Sequence, residues 1–132
     1  MKNYITISML LLFTLLISAC NNNVNQEITN IDEEENIIIA ESFIDLLVEG
    51  DFEEATFYFD EKKATELPPE QLEVVWLGAV QQFGDFTSKE YEGSEIYEGN
   101  QVVYFTGQFE SEELQFIISF DEHNNIVDFY MV

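Results

Sequence analysis

The apolar positions of this chain follow two periods, and the change falls at Gly84. Before it, Ile37, Ala40, Ile44, Leu47 and Val48, with Ile38 and Phe43 beside them, recur at helical spacing. Asp32 stands where an N-cap is expected, and Glu33 to Glu35 fill the first turn, where the helix dipole favours anions. Gly50 supplies the stop. Asp51 then caps a second, shorter helix with Glu54 three residues on, carrying Phe52, Ala55, Phe57, Tyr58 and Phe59. The polar stretch DEKKATELPPE reads as a loop. Pro69 opens a third helix that runs through Leu72, Val75, Trp76, Ala79, Val80 and Phe83.

Beyond Gly84 the period is two. DFTSKEYEG predicts a first strand. QVVYFTGQFE sets Val103, Phe105 and Phe109 against Tyr104, Thr106 and Gln108. ELQFIISFD sets Leu114, Phe116, Ile118 and Phe120 against Gln115, Ile117 and Ser119. NIVDFYMV sets Val127, Phe129 and Met131 against Ile126, Asp128 and Tyr130. EGN at 98–100 and DEHNN at 121–125 are turn chemistry. Three helices followed by an antiparallel meander of about four strands predict an α+β domain, residues 32–132, with the helices packed on one face of a curved sheet. No internal repeat is visible.

The opening residues follow neither period. Lys2 gives a positive start, Tyr4 to Ala19 carries no charge, and the run ends LISAC. That is the build of a secretory signal peptide. It is too short for a membrane span, which takes about 20 apolar residues. An aliphatic residue, two small residues and then cysteine resembles the lipobox of bacterial lipoproteins. The resemblance implies cleavage between Ala19 and Cys20 and a diacylglyceryl group on the Cys20 sulfur. Two acyl chains on one residue give stable anchoring where one gives marginal binding. The expected location is the outer face of the cell membrane. Residues 21–31, NNNVNQEITNI, have nothing to bury and read as a tether of ~20 Å span.

Charge narrows the partners. Past Cys20 only Lys62, Lys63 and Lys89 stand against all 27 acidic residues, and there is no arginine. Nucleic acid is excluded as a partner, since it demands cationic groups, and repulsion holds the domain off an anionic bilayer. With no cysteine after Cys20, no disulfide supports the fold. Twelve Phe, six Tyr and one Trp supply a core instead.

The stretch AESFIDLLVEGDFEEATFYFD, then LEVVWLGAVQQFGDF, then strands ending FDEHNNIVDFYMV resembles a family of unknown function found in Gram-positive lipoproteins and ahead of some α/β-hydrolase domains. The matching features are Gly50-Asp51, Ala55 with Phe59-Asp60, Trp76, and Gly84-Asp85-Phe86. That family is similar to the cystatin-like, nuclear-transport-factor-like cone superfamily, which includes ketosteroid isomerases and SnoaL-type cyclases. The resemblance implies a cone-type fold and a binding or positioning role.

Candidates for chemistry are few. His123, the only histidine, lies in a turn and reads as exposed. No second histidine or cysteine completes an N/S metal site. IDEEEN and DEHNN lack the spaced ligands and glycine of an EF-hand loop and read as solvated faces. No Ser-His-Asp set, phosphate loop or dinucleotide fingerprint is present, and no cofactor is expected. The inward strand positions offer no titratable group; Asp128 and Tyr130 fall on the opposite face. Asp51 and Asp60 suit capping better than catalysis. The outward face, with Tyr104, Ile117, Ile126 and Tyr130, is less polar than a solvated sheet face should be. It is the expected surface for a second copy or an envelope protein. The reading is therefore a membrane-anchored, non-catalytic binding module, taking a protein partner or a small apolar ligand. The alternative is a small isomerase- or cyclase-like enzyme.

Overall fold

A single meander closes the chain: β1 (Phe86–Tyr97), β2 (Asn100–Phe109), β3 (Glu113–Phe120) and β4 (Ile126–Met131) pair antiparallel in that order. The computed structural model describes residues 33–132; the expected signal, Cys20, the expected tether and the expected N-cap Asp32 lie outside them. Among the described residues four helices precede the sheet: α1 (Glu33–Glu49), α2 (Phe52–Ala55), α3 (Glu61–Glu66) and α4 (Pro69–Phe83). A 3-10 turn at Thr56–Tyr58 follows α2.

Local signals set most boundaries. Gly50 ends α1 at φ 79°, a conformation that costs a glycine little. The Asp51 side chain accepts from the Glu54 amide at 3.1 Å and starts α2. Pro69 stands in the first turn of α4. The stretch expected to be a loop contains α3. Its N-cap, Asp60, accepts from the Lys63 amide at 2.7 Å, and Lys62 pairs with Glu66 at 3.5 Å one turn on. A helix held by a cap and an exposed ion pair has no apolar stripe, so its period is invisible in the sequence. Both conspicuous aspartates, Asp51 and Asp60, thus serve as helix caps.

α1 and α4 cover one face of the sheet, with α2 packed against them, and α3 stands beside β4 at the sheet edge. Ala40, Phe43, Ile44 and Leu47 of α1 and Leu72, Trp76 and Ala79 of α4 are buried against Val103, Phe105, Phe109, Phe116, Ile118, Phe120 and Phe129. Aromatic rings fill the space between the layers. Trp76 lies 5.7 Å from both Phe86 and Phe109 and 6.3 Å from Phe116, and Phe43 meets Phe129 edge-on at 5.0 Å. One polar link crosses this core: Asn36 of α1 donates to Gln101 of β2 at 2.8 Å, both fully buried. Lys89 of β1 ties the sheet to α1 through Asp45 and Glu41.

Two bulges correct the expected strand pattern. Gly93 was expected to end the first strand. Instead the register steps between Tyr91 and Gly93, Glu92 is the extra residue, and β1 continues to Tyr97. At Gly93, with φ 149°, glycine lets the strand bulge rather than stop. In β4, Ser119 opposes Asp128 while Phe120 opposes Ile126. Val127 is the extra residue, and the alternation reverses before it. Ile126 therefore points into the core, fully buried, and leaves the outward face where the plain alternation had put it.

The β3–β4 turn is built on Asp121. Its carboxylate accepts from the His123 and Asn125 amides, each at 2.9 Å, and from the Asn125 side chain at 3.2 Å. Partial burial pulls this carboxyl upward, but those donors outweigh it and hold the carboxyl below its ordinary value. A depressed folded-state value means stabilisation that is complete above the ordinary carboxylate range and is lost as pH falls through the folded value. Asp121→Ala should cost about 1–2 kcal/mol at neutral pH. The gap to the wild type should close below about pH 4. Chemical denaturation at both pH values checks this; a gap that persists in acid would mean that the charge is not what holds the turn.

Candidate functional site

With the helices on the inner face, the outer face of the sheet is left to solvent. Its side chains alternate with the core residues already described. Tyr104 and Val102 come from β2, Ile117 and Ser119 from β3, and Asp128 and Tyr130 from β4. Together with Glu95, Tyr97, Glu98 and Asn100 from the β1–β2 hairpin they line an open concavity of about 470 Å³. A second concavity of about 350 Å³ adjoins it, lined by Glu92, Gly93, Ser94 and Gln115, and shares Glu95 and Tyr104.

Of the four residues expected on this face, Tyr104, Ile117 and Tyr130 are brought together and Ile126 is not. Two missing pieces escaped the sequence. Val102 points outward yet is only 5 % exposed, because Glu95 and Ser119 flank it from the neighbouring strands. It forms the apolar floor. Tyr97 joins only because β1 runs past its bulge.

Hydrogen bonds fix the polar groups. The Tyr104 hydroxyl donates to the Glu95 carboxylate. That bond, with some burial and the carboxylate's charge, holds the Tyr104 phenol above its ordinary range. Thr106 donates to Glu92 at 2.9 Å. At the far edge Lys63 of α3 reaches round β4, with its Nζ 3.1 Å from an Asp128 oxygen and 5.8 Å from the Tyr130 ring centre. The Tyr130 hydroxyl donates to the same oxygen at 3.3 Å. Asp128 is thus held in an ion pair with a lysine whose side chain is only 11 % exposed. It stands on the outer face, away from the apolar interior.

Chemistry elsewhere is sparse. His123 is exposed in its turn, where its backbone amide serves Asp121. Among the described residues, no three His, Cys, Asp or Glu side chains converge on a point that would hold a metal ion.

The family model described as "Protein of unknown function (DUF3887)" matches residues 40–129, from mid-α1 into β4. No curated protein and no solved structure matches the chain.

Proposed function

The chain belongs to the DUF3887 family, whose function is unknown, and from that premise we propose that it is a membrane-anchored lipoprotein carrying a non-catalytic, cone-type interaction module. Its outer sheet face docks a protein partner at the cell envelope. The observation that carries this reading is the outward cluster of Val102, Tyr104, Ile117 and Tyr130 around an open concavity, on a face that no other element of the described residues covers. Exposed apolar surface with a polar rim is the mark of an interaction site. The interior supports the same reading. Phe43, Trp76, Phe116 and Phe129, each under 10 % exposed, occupy the space between sheet and helices where an enzyme of the cone type would hold its substrate. The LISAC sequence at Cys20 supports the anchor.

Two variants of the full-length protein test both halves. Cys20→Ala should abolish the acyl mass carried on residue 20, read by the intact mass of the membrane-extracted protein; a wild type with no acyl mass on Cys20 overturns the anchor. Native mass spectrometry of the wild type, extracted in detergent from its own envelope, should show a bound protein. Ile117→Asp combined with Tyr130→Asp should run without it. A small organic adduct retained by both forms would favour the isomerase- or cyclase-like alternative, and a bare wild type would overturn the docking face.

A further inference from the structure

We infer that the outer face is a trough for an extended, lysine- or arginine-bearing segment of the partner protein. This rests on the interaction reading above and names the partner's chemistry. The two adjoining concavities share Glu95 and Tyr104, so they form one open furrow rather than two separate hollows. An open furrow over the middle of a sheet suits a length of chain better than a compact ligand, which is ordinarily enclosed. Its floor is apolar at Val102 and Ile117, Tyr104 stands where the two concavities meet, and Tyr97 and Tyr130 line the larger one. Tyrosine faces attract ammonium and guanidinium groups, and the long stems of Lys and Arg pack on apolar surface while the charged head reaches outward.

Charge sets the sign of the occupant. Glu92, Glu95 and Glu98 border the furrow. In the structure Glu92 and Glu95 accept hydrogen bonds from the neutral hydroxyls of Thr106 and Tyr104, and neither is in an ion pair among the described residues. Lys63, at the edge of this face, is engaged with Asp128, and Lys89 of β1 is engaged with Asp45 and Glu41 of α1. A second copy of this chain would bring the same carboxylates face to face on two molecules of formal charge −23, so the face disfavours its own copy. A basic segment meets complementary charge along the furrow and is steered to it.

The test uses the full-length protein in detergent and a capped peptide of alternating lysine and valine, with the glutamate counterpart as control, read by calorimetry. Saturable binding of the lysine peptide alone is expected. Glu92→Gln combined with Glu95→Gln should weaken it about fivefold or more. Glu61→Gln combined with Glu70→Gln removes the same charge from the helical side and should change it less than about twofold. Equal losses in the two pairs would show diffuse attraction to a polyanion and overturn the trough, as would equal binding of both peptides. The interaction reading fails separately. If the lysine peptide does not bind but the wild type carries a partner that the Ile117 and Tyr130 variant loses, the docking face stands and the basic class falls. A homodimer lost in that variant overturns the basic class in the same way. If neither peptide nor partner binds, both fall.

Discussion

Phe116→Ala should lower the stability of the protein by about 3–5 kcal/mol, the largest loss expected from any truncation considered. Phe116 stands at mid-β3 with no exposure to solvent. Its ring is packed among Trp76, Phe86, Phe109 and Phe129, with centres 6.3 to 6.4 Å away. These rings come from α4, β1, β2 and β4, so one side chain ties the helical layer to the other three strands. Truncation forfeits the transfer energy of the ring and leaves a void that four aromatic neighbours cannot collapse into without leaving their rotamers. Against a total of about 5–15 kcal/mol for a domain of this size, the loss removes about a fifth of the stability or more. The denaturant midpoint should fall with little change in slope. Ile117→Ser, one residue on, should cost less than about 1 kcal/mol, because that side chain faces the outer surface. Comparable losses at the two positions would show that the alternation along β3 is not what separates core from outer face.

That alternation was legible in β2 and β3 because both are uninterrupted and have one buried face. Every residue placed inward there is buried, from Val103 to Phe120. It failed in β4 for a physical reason. A bulge adds one residue without changing composition, and Ile126 and Val127 are interchangeable in hydrophobicity and in strand preference. Nothing local says which of the two is extra. The difference is made from a distance: Ile126 forms a parallel bridge with Phe59, and its carbonyl accepts from the Asp60 amide at 3.0 Å. The same contact stations α3 beside β4 and brings Lys63 to Asp128. The candidate site was therefore half visible. Tyr104, Ile117 and Tyr130 followed from period two alone. Tyr97 required the bulge at Gly93, and Lys63 required a helix that carries no periodic signal. The Asn36–Gln101 pair was hidden for a related reason, since two polar residues 65 positions apart reveal their bond only when α1 crosses β2.

Gly107→Ala, although it adds a single methyl group, should destabilise the protein by about 2–3 kcal/mol. Gly107 lies inward on β2 opposite Leu114, and a Cβ there would approach the Phe116 ring to 2.4 Å at Cζ, with 2.7 and 3.0 Å at the two Cε atoms. Backbone entropy works the other way. Glycine in a strand interior costs about 0.5–1 kcal/mol relative to alanine, so the replacement would stabilise if space allowed. The clash is the larger effect because the ring cannot swing aside. Its neighbours on four elements hold it, and the conflict involves the middle of a packed layer rather than the end of a flexible chain. The two contributions separate in a Phe116→Leu background. Leucine lacks the ring atoms that the methyl group would strike. There Gly107→Ala should be neutral or stabilising by up to about 1 kcal/mol, a coupling of about 2–4 kcal/mol between the two positions. Chemical denaturation of the four proteins in the cycle measures it. If the alanine costs the same in both backgrounds, the ring is not what demands glycine at 107. A pronounced coupling would mean that this position is kept bare so that a phenylalanine can lie flat across β2 and close the interior.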